Sequence, residues 1–115
     1  MSDTNPKRGE ISITLGDKTF KGRVTLDAMM RIETSLQLGI VKIAQRLSDG
    51  DMTLSELGSV LTPVIRGGNN DVTEQEIMKL VWQSGMMEGM RIVGEIIGLA
   101  LNPDKEKKEQ ALAEN

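Results

Sequence analysis

Residues Thr73 to Leu101, TEQEIMKLVWQSGMMEGMRIVGEIIGLAL, form the longest predicted helix of this chain, and the predicted fold is built around it. Apolar and small residues recur along it at alternating intervals of four and three, the spacing of a stripe buried along one side of a helix. We call this set the glycine seam and expect it to face the protein's own core. Its members are Met78, Trp82, Gly85, Gly89, Ile92, Ile96 and Leu99.

The sequence marks both ends of this predicted helix. Thr73 and Glu76 have the spacing of a capping box, in which side chains and backbone amides at the helix start satisfy one another. Asn102-Pro103 ends the helix, because proline disfavours helical backbone in the preceding residue and cannot continue a helix. A straight helix of this span would be about 43 Å long, beyond the roughly 30 Å diameter of a small domain. We therefore expect it to kink, to protrude or to run through a larger body.

Gly85 and Gly89 are unusual inside a helix, where each glycine costs about 1 kcal/mol relative to alanine. They indicate close approach of another backbone, here the hairpin or the first helix described below, or a kink at Ser84-Gly85. A second apolar stripe begins after Gly85 on another side of the helix. With Met87 beside it, this candidate contact set consists of Met86, Met87, Met90, Val93 and Ile97.

The candidate contact set is expected to bind a partner, because one small domain rarely covers both sides of a helix. Methionine side chains suit surfaces that must bind varied partners, since they are unbranched and adaptable. They also fill gaps in protein cores, so Met86, Met87 and Met90 fit a binding role and a core role equally well.

Composition argues against several classes of function. The 115-residue chain has no cysteine and no histidine, so it lacks thiolate chemistry, the usual general base and the commonest metal ligand. We expect a non-enzymatic protein without cofactor or metal, in a reducing compartment. Its net charge is −3 and its two aromatic residues are Phe20 and Trp82, whereas a nucleic-acid interface needs a basic surface with stacking aromatics. We therefore expect no nucleic-acid partner.

Neither a membrane segment nor a signal peptide is expected. Charged residues, Glu88 among them, interrupt the most apolar stretch. Residues 1–9 are polar and are predicted to be a flexible N-terminus. Residues 103–115 are charged, have no apolar face and are predicted to be a disordered tail. Residues 10–102 then form a single domain.

Residues 10–24 predict a β-hairpin. Apolar and polar residues alternate on both sides of Gly16-Asp17, which has the length and composition of a two-residue turn. This turn places Ile13 opposite Phe20 and puts the apolar residues of both strands on one face. A lone hairpin is marginally stable in water, so we expect it to pack against helices.

Apolar residues at helical spacing predict a helix over about 26–48. Thr25 is placed to cap its first turn. Gly39 lies inside the pattern, and we expect a bend or a break there.

A further helix is predicted over about 54–66, where Thr53 and Glu56 form another capping box. Pro63 removes one of its backbone hydrogen bonds and is expected to bend or end it. With the last helix over about 74–101, the predicted class is α+β. The expected architecture is an N-terminal β-hairpin followed by a mostly helical bundle of three to four α-helices.

The order of these segments, over about 10–101, resembles a known family. Beside the hairpin and the glycine-bearing last helix, the resemblance lies in Met30-Arg31-Ile32-Glu33, Leu38-Gly39, Ile43-Ala44-Gln45-Arg46-Leu47, Leu54-Ser55-Glu56-Leu57, Val60-Leu61 and the loop Arg66-Gly67-Gly68. The chain is similar to the small tail proteins of gene transfer agents and related siphophages. Members of that family are described as tail tube proteins and as tail assembly chaperones.

The resemblance implies a chaperone that coats the tape measure protein, a long helical client, until tube protein polymerises around it. It implies partners (the tape measure protein, the tail tube protein or both), self-association, the cytoplasm of a bacterial host and no catalytic residues. One alternative is a structural subunit of the tail tube, although a tube ring needs a substantial closed sheet. Another is a helical adaptor or regulatory protein that dimerises through its last helix.

Overall fold

The computed structural model describes residues 9–102, so residues 1–8 and the predicted C-terminal tail lie outside the described residues. Within the described residues two strands precede five helices, and the predicted α+β class is confirmed. There are more helices than expected because two of the predicted helices are each divided. The elements are β1 (Glu10–Leu15), β2 (Lys18–Arg23), α1 (Leu26–Leu36), α2 (Ile40–Ser48), α3 (Leu54–Gly67), α4 (Glu74–Ser84) and α5 (Met86–Leu101).

β1 and β2 form an antiparallel hairpin in the predicted register. Ile13 lies opposite Phe20, as the two-residue turn requires. Ile13 and Leu15 are fully buried, whereas Thr14 between them is exposed. The apolar face of the hairpin therefore packs on the helices, with Phe20 half-buried at its border.

The predicted helix over 26–48 is two helices. Gln37 adopts a left-handed backbone (φ 54°, ψ 39°) that ends α1. Gly39 precedes the first turn of α2, where the Ile40 amide donates a hydrogen bond of 3.0 Å to Glu33 Oε2. A carboxylate from α1 thus caps α2, which is favourable because the start of a helix carries free amide donors.

α3 is the central element of the domain. It contacts α1, α4, α5 and β2. Pro63 lies inside α3 and does not end it, since the helix continues to Gly67. Its buried residues occupy nearly every side of the helix and are Leu57, Gly58, Ser59, Val60, Leu61, Thr62, Val64 and Ile65.

α4 approaches α3 closely at Gly58, a position that the sequence pattern did not single out. A Cβ atom added to Gly58 would overlap Met78 Cγ. At the start of α4, Thr73 Oγ1 accepts the Glu76 amide at 3.1 Å. The Glu76 carboxylate binds the Thr73 hydroxyl rather than its amide, so the predicted capping box is only half formed.

Candidate interaction surface at the α4–α5 corner

The last predicted helix is divided at Gly85 into α4 and α5. Gly85 has φ 102° and ψ 144°, a conformation that residues with a Cβ atom rarely adopt. Its amide still donates to Val81 O at 2.8 Å, which closes α4, and its carbonyl accepts from Gly89 N at 3.1 Å, which opens α5. The residues before and after Gly85 therefore do not share one continuous helical face.

The two glycines of the predicted seam have different surroundings. A Cβ atom added to Gly89 would lie 2.8 Å from Val81 Cγ1 and 3.2 Å from Leu57 Cδ1. Gly89 is thus closely packed, against α4 and α3 rather than against the hairpin or the first helix. A Cβ atom on Gly85 would have no such neighbour within 4 Å among residues 9–102. The prediction of close packing at Gly85 is wrong, because this glycine provides a backbone conformation instead.

Trp82 does not face the core. The glycine seam predicted that its side chain is buried, but the side chain is 69% exposed. α4 buries Ile77 and Val81, one residue earlier along the helix. The predicted glycine seam assumed that the helical spacing of α5 continues through Gly85 into α4. This assumption assigned the wrong face of α4 to the core. Ile77 and Val81 have the same four-residue interval as Met78 and Trp82, so the spacing alone does not choose between the two faces.

The structure also separates the members of the candidate contact set. Val93 and Ile97 are 0% and 2% exposed, so the prediction that they form a free surface is wrong. α5 contacts α2, α3, α4 and β1, and the domain therefore covers both apolar stripes of this helix. Met87 is 80% exposed, whereas Met86 and Met90 are half-buried and pack against the core.

Apolar side chains remain accessible on both sides of the break. We call Trp82, Met86, Met87 and Met90 the corner surface. Trp82 lies three residues before Gly85 and Met87 two residues after it, so each is within one helical turn of the break.

The chain matches the model of a known protein family. Residues 8–102 match the family described as phage tail tube protein, GTA-gp10, where GTA denotes gene transfer agent. This chain belongs to that family. The resemblance to phage and gene transfer agent tail proteins is therefore confirmed. No curated protein and no solved structure matches this tail protein.

The charges on α5 of this tail protein are paired with one another. Arg91 Nε donates to Glu88 Oε1 at 3.0 Å, and Nη1 donates to the Glu95 carboxylate. The hydrogen bond from Arg91 lowers the pKa of Glu88. These side chains lie on the exposed face of α5, where such ion pairs add little stability.

The chemistry available at the corner of this tail protein is apolar contact. Residues 9–102 contain no group of three or more acidic, histidine or cysteine residues placed to hold a metal ion. None of the helices in that range combines the length and apolar character of a membrane span. Trp82 and Met87 are the most exposed apolar side chains of this region.

Proposed function

We propose that this tail protein acts in tail assembly as a chaperone that binds the tape measure protein through the corner surface. Membership of the family establishes a role in the phage or gene transfer agent tail. The chaperone role is supported chiefly by the exposure of Trp82 and Met87, 69% and 80%, beside the fixed break at Gly85.

The two side chains suit a client that presents many similar segments. Tryptophan is among the residues that contribute most when buried at a protein interface. Methionine adapts its shape to differing apolar partners. A long helical client offers repeated apolar stripes, and each one buried against Trp82 and Met87 would contribute about 25 cal/mol per Å² of apolar area.

The small size of the sheet supports a chaperone over a tube subunit. Residues 9–102 contain one two-stranded sheet and are otherwise mainly helical. A tube ring needs a substantial closed sheet, whereas binding a helical client needs only an apolar surface. The tube subunit is the second candidate, because the description of the family names it.

We also propose that the protein has no catalytic activity, needs no cofactor and works in the cytoplasm of the bacterial host. The absence of histidine and cysteine from the chain supports this, because binding an apolar client requires neither residue. Self-association along the client is compatible with it.

Co-expression with the tape measure protein of the same tail gene cluster tests the proposal. The measurement is the fraction of the tape measure protein that remains soluble, with and without this protein. We expect the wild type to keep it soluble and the double variant Trp82→Glu, Met87→Glu to lose this effect while retaining its melting temperature. The matched control is Leu26→Glu with Val41→Glu, since both positions are exposed apolar residues on other helices, at 78% and 63%.

Two results would contradict the proposal. If the wild type leaves the tape measure protein insoluble and polymerises alone into rings or tubes, the tube subunit is the better description. If the control variant loses activity as fully as the corner variant, the corner surface is not the specific contact site.

A further inference from the structure

Each strand of the hairpin has backbone groups that face the other strand and groups that face outwards, in alternation. Val24 N donates to Gly9 O at 2.7 Å, in line with the register of the two strands. The odd-numbered residues of β1 are therefore those that hydrogen-bond to β2. It follows that Glu10, Ser12 and Thr14 direct their amides and carbonyls to the outer edge of β1.

The outer edge of β2 is covered by the loop that follows α3. Asn70 Nδ2 donates to Lys21 O at 2.8 Å, and a Cβ atom added to Gly68 would overlap the same carbonyl. A Cβ atom added to Gly67 would lie 2.9 Å from Arg23 O. A further strand could pair with β2 only after this loop had moved away.

Within residues 9–102 the outer edge of β1 has no hydrogen-bonded cover, although α4 and α5 pack against this strand. In that range no other strand pairs with β1, and no hydrogen bond from another element reaches the outward backbone groups of Glu10, Ser12 or Thr14. The side chains of Ser12 and Thr14 are exposed. β1 has the sequence EISITL, without the lysine, proline or bulge by which edge strands usually prevent pairing.

We propose that β1 pairs antiparallel with β1 of a second copy of this chain, which joins two hairpins into one four-stranded sheet. With the two-fold axis at Ser12, each Ser12 faces its equivalent and each Glu10 faces Thr14 of the other copy. The outward amides then meet outward carbonyls, and no like charges lie opposite one another. The strand is thus complementary to itself, as a symmetric dimer requires.

One open strand edge per copy favours a closed dimer over a ring or a filament. Repeated addition would pair β1 of one copy with β2 of the next, so each copy would need two open edges. Gly68 and Asn70 close the edge of β2, which leaves one open edge per copy within the described residues. This inference does not depend on the proposed binding of the tape measure protein.

The test compares Thr14→Pro with its matched control Thr19→Pro in the full-length chain. The two residues lie opposite one another and their hydroxyls share a hydrogen bond of 3.0 Å, so both variants lose the same contact. Each also loses an outward amide, a change that an edge strand tolerates. By sedimentation equilibrium we expect dimers for the wild type and Thr19→Pro, and monomers for Thr14→Pro. Ser12→Lys keeps the backbone donor but places two lysines at the axis, and it should also be monomeric.

Amide hydrogen exchange identifies the surface that pairs. In the wild-type dimer the amides of Ser12 and Thr14 should exchange slowly, and in Ser12→Lys that of Thr14 should become fast while that of Ile13 stays protected. A monomeric wild type, an assembly larger than a dimer, or a dimer with fast exchange at Ser12 and Thr14 would each overturn the proposal. The corner variant should remain dimeric, so failure of the chaperone proposal is separable from failure of this one.

Discussion

Arg46 in α2 holds Glu56 in the first turn of α3 through two parallel hydrogen bonds, of which the bond from Nη2 to Oε1 is 2.7 Å long. Glu56 Oε1 also accepts the Thr53 amide at 2.9 Å, and Thr53 Oγ1 accepts the Glu56 amide, so the predicted capping box is present. One carboxylate thus starts α3 and attaches α2 to it. The two charged side chains are 21% and 22% exposed.

Two substitutions separate these roles of Glu56. Glu56→Gln keeps a side-chain acceptor for the capping box and removes the charge that Arg46 binds. We expect it to lower the free energy of unfolding by about 1–2 kcal/mol, and Glu56→Ala by about 2–3 kcal/mol because the cap is lost as well. Urea denaturation measures both. Equal losses in the two variants would show that the capping contribution is negligible.

The ion pair also predicts a pH dependence. The hydrogen bond from Arg46 lowers the pKa of Glu56 in the folded protein. The contribution of the Glu56 carboxylate to stability is therefore fully present above the pKa of glutamate in the unfolded chain, about 4.3. It is lost as the pH falls through the lower pKa of Glu56 in the folded protein. We expect the stability difference between wild type and Glu56→Gln to be constant from about pH 6 to 8 and to shrink below about pH 4. A difference that grew on acidification would contradict this assignment.

Two glycines of α5 should respond oppositely to alanine. Gly94 is exposed, and within residues 9–102 no atom outside its own helix lies within 4 Å of an added Cβ, so Gly94→Ala should stabilise the protein by about 0.5–1 kcal/mol through helix propensity. At Gly89 the added Cβ would lie 2.8 Å from Val81 Cγ1, so Gly89→Ala should destabilise it by about 1–3 kcal/mol. Thermal and urea unfolding measure both. The same sign for both variants would mean that α5 is placed differently.

The two sides of α5 can be distinguished by introducing a charge. Ile97 is 2% exposed, so Ile97→Glu should unfold the domain or cost several kcal/mol, because a buried carboxylate would have no partner. Met87→Glu places the same charge at an 80% exposed position and should change stability by less than about 0.5 kcal/mol. Circular dichroism and urea denaturation measure the difference. If the Ile97→Glu variant folds normally, the predicted apolar stripe is a free surface and the burial of Ile97 is contradicted.

Several local features of this protein could be predicted from its amino-acid sequence alone. The register that places Ile13 opposite Phe20 follows from a two-residue turn between alternating strands, and the cap by Thr53 and Glu56 follows from their spacing. These features depend on residues close in the chain, so no other element has to be known. The partner of Glu56 could not be predicted in this way, because Arg46 reaches it from a different helix.

Which apolar residues are exposed depends on how the elements pack, and the sequence pattern did not reveal it. A helical pattern assigns a face only while the helix is continuous, and the backbone of Gly85 ends that continuity, which leaves Trp82 outside. Whether a second apolar stripe is exposed depends on how many elements surround the helix. At least four elements of the described chain contact α5, so Val93 and Ile97 belong to the core. The spacing of apolar residues indicates which side of a helix is apolar, but packing determines whether the domain or a partner covers that side.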